Sequence, residues 1–182
     1  MAGRQRAPQW RGAGDLVCAG VFRLGNRSHS SRSGQVLSSY LDSSLLTSLY
    51  APDAHSASAR QYLLQAARPF PLTSFGEAEL TNAIELRVFR QEITASQARA
   101  ALQQLAIHIA DGVFQATPVP AAMYDVARQL SRRHTATLGT RTLDTLHVAA
   151  ALVLHAESFY TFDRAQAQLA RAAGLATPLR IR

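Results

Sequence analysis

Carboxylates stand at four places in this chain where a charge needs a partner. Asp42 follows the apolar run VLSSYL, and small hydroxyl residues follow it. Asp163 follows SFYTF, so YLDSS and YTFDR both set an acid just after an apolar strand. Asp144 lies in RTLDTLHVAAALVLHA, a helical stretch apolar enough to read as buried. Glu79 and Glu77 lie in TSFGEAELTNA and point to different helix faces. Glu79 shares its face with Ala83 and approximately with Leu86, the apolar side, and is preferred as the buried acid. Carboxylates brought together repel, and some become protonated. A hard divalent cation, magnesium or manganese, removes that penalty and takes oxygen ligands. Such a site suits phosphodiester hydrolysis, because the cation acidifies water and polarises a phosphoryl oxygen.

Each acid also has a bland reading. Asp163 with Gln166 has capping-box spacing, and Asp144 could cap its own helix, although Thr142 competes for that place. A cap and a ligand are compatible, since a carboxylate has two oxygens. His147 shares a face with Asp144 and reads as a metal ligand or as a packed histidine bonded to a carboxylate; the second reading is preferred. Ser43, directly after Asp42, and Asn82, three residues after Glu79, are placed as supporting residues.

Composition narrows the chemistry. The 182 residues fit one domain, and 47% hydrophobic with 17% charged residues reads as globular. The basic residues are all arginine, which excludes a lysine base, Schiff base or phosphate-binding lysine. A single cysteine, Cys18, excludes a disulfide framework and points to a reducing, cytoplasmic setting. No apolar stretch is long enough to span a bilayer. Residues 1–35 hold six arginines against one acid, whereas the rest holds 13 against 11. That Gly/Ser-rich segment is expected to be a basic, unstructured leader or sequence ahead of a misplaced start, with the folded domain at 36–182.

The elements that must carry the acids alternate. Strands are expected at Val36–Leu41, Phe70–Thr73, Val113–Val119, Ser158–Phe162 and Leu175–Leu179. Helical spacing covers Leu45–Leu49, His55–Ala67, Phe75–Gln91, a segment opened by Thr94 and Gln97 and closed at Asp111-Gly112, a helix from Pro120 to Leu138-Gly139, Thr142–Glu157 and Asp163–Ala173. Such alternation implies an α/β sandwich with a mainly parallel sheet, whose ligands bind at the carboxyl ends of strands.

In order and spacing, YLDSSLLTSLY, TSFGEAELTNAI, RTLDTLHVAAAL and YTFDRAQAQLARAAGL resemble the PIN-domain ribonucleases, most closely the VapC-type toxins. The resemblance covers about Leu37 to Leu179. It implies a three-layer α/β/α sandwich and a ribonuclease using magnesium or manganese, with Asp42, Glu79, Asp144 and Asp163 as catalytic metal ligands. It also implies a supporting hydroxyl at Thr161. Such toxins form homodimers and pair with a small VapB-like antitoxin whose tail crosses the active site. RNA phosphates would be drawn by Arg132, Arg133 and Arg141. The rival reading is a non-catalytic PIN-like module that binds RNA or protein. A dehalogenase-type phosphatase needs an acid where Ser44 stands, a receiver domain needs a lysine, and a dinucleotide site needs a glycine that LDSSLL lacks.

Overall fold

The computed structural model describes residues 39–66 and 68–179. The expected leader, 1–35, and the first residues of the expected first strand, 36–38, lie outside them. Strands β1 (Ser39–Leu41), β2 (Phe70–Leu72), β3 (Phe114–Ala116) and β4 (Ser158–Tyr160) alternate with helices. The α-helices longer than one turn are α1 (Ser43–Tyr50), α2 (Ser56–Gln65), α3 (Ser74–Phe89), α4 (Ala95–Ala110), α5 (Ala122–Leu130), α6 (Thr142–Val153) and α7 (Arg164–Ala172). β1 pairs with β4 and β2 with β3, both parallel, and β1 runs beside β2.

Side chains leave the sheet alternately to its two faces, and each face is covered. Leu41 joins Leu45, Leu49, Phe70, Leu80, Ile84 and Leu105 in one buried cluster beneath α1 to α4. Its neighbour Tyr40 joins Phe159, Met123, Val148, Ala149 and Leu169 in another, beneath α5 to α7. The α/β sandwich expected from the alternation, in the three-layer α/β/α form that the resemblance implied, is therefore the one found. Tyr40 stacks on Phe159 across the β1–β4 pair, with centroids 5.5 Å apart and planes at 5°.

Several expected elements are shorter than expected or interrupted, among them β4, which ends at Tyr160, and α6, which ends at Val153. The last strand, 175–179, is a single bridge from Ala176 to Ser158, because Pro178 has no N–H to extend a ladder. Likewise β3 stops at Ala116, ahead of Pro118 and Pro120. The helix expected to run from Pro120 to Leu138 begins at Ala122 and is interrupted by a π turn at Ser131–Thr135, ending where Gly139 takes φ of +66°. The expected capping box of α4 forms, with Gln97 N–H donating to Thr94 Oγ1 at 3.2 Å and Thr94 N–H donating to Gln97 Oε1 at 2.8 Å.

Candidate active site

Parallel pairing of β1 with β4 sets their carboxyl ends side by side. The Asp42 amide continues the ladder, donating to the Tyr160 carbonyl at 3.1 Å. Asp42 then caps α1, with Oδ1 accepting from Leu45 N–H at 3.0 Å and from the Ser44 hydroxyl at 2.8 Å. Its Oδ2 faces the Thr161 hydroxyl at 2.8 Å, across from the end of β4. Thr161 Oγ1 also accepts from Asp163 N–H at 2.9 Å, so one hydroxyl ties both strand-end acids together. Asp42 is only 2% exposed. Burial pushes its carboxyl up, against His147 and the donors from Leu45, Ser44 and Thr161.

The other acids also sit at helix starts or against donors. Asp163 caps α7 through Gln166 N–H at 2.8 Å, as the spacing required, but Gln166 turns its side chain to Thr161 instead of closing the box. Asp144 stands in the first turn of α6 and accepts from Arg141 N–H at 2.7 Å, so it serves the helix end from inside, and Thr142 does not take the cap. Half-buried, the Asp144 carboxyl is pushed up by desolvation, and the charges of Asp163 and Glu79 add to it against the Arg141 amide and charge. The amino ends of α1, α6 and α7, each carrying partial positive charge, thus meet these acids.

Glu79 reaches the same region from α3. His147 Nε2 lies 2.5 Å from Glu79 Oε2, and His147 Nδ1 lies 2.9 Å from the Tyr40 hydroxyl. A carboxylate accepts, so Nε2–H donates to Glu79, and the protonation of the ring decides whether Nδ1 donates to the Tyr40 hydroxyl or accepts from it. Burial would raise the Glu79 carboxyl, but the hydrogen bond and charge of His147 and a hydrogen bond from Ser43 hold it below the usual range. The Tyr40 hydroxyl is pushed well up, first by burial, with the charges of Asp42 and Glu79 adding to it against a Thr73 hydrogen bond. Glu77 is exposed, in line with the choice of Glu79 as the inner acid. Asn82 is exposed as well, in a shallow groove with Ser74, Glu77, Thr81 and Glu85, and makes no hydrogen bond to the site acids among the described residues.

Two contributors escaped the sequence reading. Ser44, set aside there as the wrong residue for a phosphatase, accepts from Phe162 N–H at 2.9 Å while donating to Asp42. Gly76 lets the amino end of α3 approach His147. A Cβ there would meet Thr73 Oγ1 at 2.9 Å and His147 Cε1 at 3.6 Å. Its signal was visible as a glycine in the first turn of a helix, where alanine would otherwise be favoured.

The donor set fits a hard cation. It is all oxygen, it sets Asp163 and Glu79 near enough to add to the burial that raises Asp144, and it includes a buried carboxylate, Asp42, with no arginine against it among the described residues. Among the described residues no three His, Cys, Asp or Glu side chains form a ready cage, because each acid is turned to a protein donor. Arg141 is exposed at the start of α6, and Arg132 and Arg133 are exposed on the π turn.

A family model described as PIN domain matches residues 39–172. Among solved structures, the chain is similar to the crystal structure of Mycobacterium tuberculosis VapC20, a sarcin-ricin loop cleaving toxin. The two are 21% identical with a TM-score of 0.58, and the match covers 76% of this chain and 97% of that one. No curated protein matches. No helix among the described residues is long and apolar enough to cross a membrane.

Proposed function

The chain belongs to the PIN-domain family, and from that premise we propose that it is a metal-dependent endoribonuclease, the toxin of a toxin–antitoxin pair. The observation that supports this reading is that Thr161 bonds both Asp42 and Asp163, Asp42 is buried, and the Asp144 carboxyl is raised by burial with the charges of Asp163 and Glu79 adding to it. Magnesium or manganese, held by these four, would supply an acidified water and polarise the phosphoryl oxygen. The chain's own residues hold the frame. Ser44 and Thr161 fix both oxygens of Asp42, and His147 fixes Glu79. Arg132, Arg133 and Arg141, all exposed, would draw RNA phosphates to a site whose acids repel them.

The fold likeness to VapC20, named as a toxin cleaving the sarcin-ricin loop, supports RNA as the substrate class. On this reading the partners are a small VapB-like antitoxin and a second copy of the chain, in the cytoplasm. A non-catalytic binding module is the second reading. It is favoured by the turning of every site acid to a protein donor, which leaves the fold satisfied without a metal. Hydrolysis of a labelled RNA that needs added magnesium or manganese and stops with EDTA separates the two. Absence of both cleavage and metal binding would favour the module.

A further inference from the structure

Phe162 sits between Thr161 and Asp163, at the rim of the site. Phe162 packs against the core cluster that holds Leu41 and Leu45. On the ring lies the imidazole of His55, with centroids 4.5 Å apart and planes at 22°. Phe162 is half-buried and His55 exposed, so the stack runs from the core cluster to the surface.

The backbone beneath both rings is held in place. The His55 amide donates to Asp53 Oδ1 at 2.8 Å. Asp53 is clamped by Arg87 at 2.7 Å and by the Ser48 hydroxyl at 2.9 Å, and Arg87 is in turn bonded to the Ala51 carbonyl. Burial would raise the Asp53 carboxyl, but the donors from Arg87, His55 and Ser48 hold it below the usual range, so it stays an ionised anchor. On the other side the Phe162 amide donates to Ser44, which donates to Asp42. The backbone that carries the outer ring is therefore tied to the loop before α2, and the backbone that carries the inner ring to Asp42 through Ser44.

A site walled by carboxylates repels the phosphate it must hold, so an uncharged contact beside it has particular value. Base stacking is such a contact, since every nucleobase has a π face and the gain is tolerant of sequence. From this geometry we infer that His55, backed by Phe162, is a stacking platform for one unpaired nucleobase of the RNA next to the cut phosphate, an inference that rests on the ribonuclease reading. A base inside a duplex has no free face, so the platform selects single-stranded or looped RNA.

The test uses full-length protein carrying Asp144→Asn, so that bound RNA stays intact, and single-stranded oligoribonucleotides with 2-aminopurine at successive positions. The expected result is quenching at one position. His55→Ala should abolish that quenching and weaken binding on the order of tenfold, and His55→Phe should restore both. An abasic nucleotide at the same position should weaken binding to the parent and make His55→Ala indistinguishable from it, which tests the platform even if His55→Ala folds poorly. Unchanged quenching in His55→Ala, failure of His55→Phe to rescue, or no loss with the abasic RNA would overturn the platform. The ribonuclease reading would survive any of these if the protein with Asp144 intact still cut RNA. Failure of the intact protein to bind or cut any RNA would overturn both.

Discussion

His147 and Glu79, 68 positions apart in sequence, are joined by a 2.5 Å hydrogen bond that links the buried face of α6 to the candidate active site. The imidazole is 1% exposed and continues to Tyr40 on β1. One side chain thus connects the sheet, the helix that carries Asp144 and the helix that carries Glu79.

His147→Ala removes the partner of a buried hydroxyl and of a carboxylate. We expect a loss of about 2–4 kcal/mol in urea unfolding, from two polar groups that each lose a partner and from the cavity left behind. Manganese binding measured by calorimetry should also weaken, because Glu79 is no longer held. His147→Gln, which can donate to Glu79, should recover part of both. If His147→Ala binds manganese as wild type does, Glu79 does not depend on this contact.

Asp42→Asn should make the metal-free protein more stable. The Asp42 carboxyl is pushed up by burial, so its ionised form is disfavoured in the fold. Its stabilising contribution is full below the unfolded value of 3.8 and is lost as pH rises through the folded value. At neutral pH an uncharged amide of the same shape should gain roughly 1–2 kcal/mol, read as a higher thermal midpoint in EDTA. Adding manganese should raise the midpoint of wild type and not that of the variant. A lower midpoint in EDTA would contradict this account of the buried charge.

The sequence disclosed the order of strands and helices and the acids after β1 and β4, because an apolar run ending in a charge is a local signal. The capping box of Thr94 and Gln97 was legible for the same reason. That His147 bonds a carboxylate was also readable, but which one was not. Helical spacing brought Asp144 to mind, whereas the partner is Glu79, and that pairing depends on how α6 meets α3. Ser44 was hidden because its role needs the end of β4 to lie alongside β1. The π turn left no local mark, since Ser131–Thr135 reads as ordinary helix.

A second histidine should set the acid limb of stability. His108, 2% exposed on α4, lies 2.7 Å from the Tyr50 hydroxyl and accepts at Nε2 from the Gln104 amide at 2.9 Å. Burial pushes its pKa down; Asp111 opposes this, and the charge of Arg68 adds to it. The unfolded chain therefore takes up the proton first. Stability should fall as pH drops below the unfolded value of 6.5, until the folded value is reached. Asp42 and Asp144, both raised, act in the opposite sense, so the comparison is between wild type and His108→Gln. The variant should lose this slope in midpoint against pH. An unchanged slope would assign it to other groups.

Arg132, exposed on the π turn, should contact phosphate. Arg132→Ala should weaken RNA binding across sequences and reduce the dependence of log K on log salt by about 1. An unchanged affinity and slope would remove this turn from the RNA surface.

The most direct test is cleavage of a labelled RNA by the antitoxin-free protein, with wild type and Asp144→Asn side by side in magnesium, manganese or EDTA. Wild type should cut with either metal and stop in EDTA, and the variant should lose at least a hundredfold in rate, on the order of 3 kcal/mol in the barrier. Equal cutting by both proteins, or cutting by wild type that persists in EDTA, would contradict a metal site built on these acids.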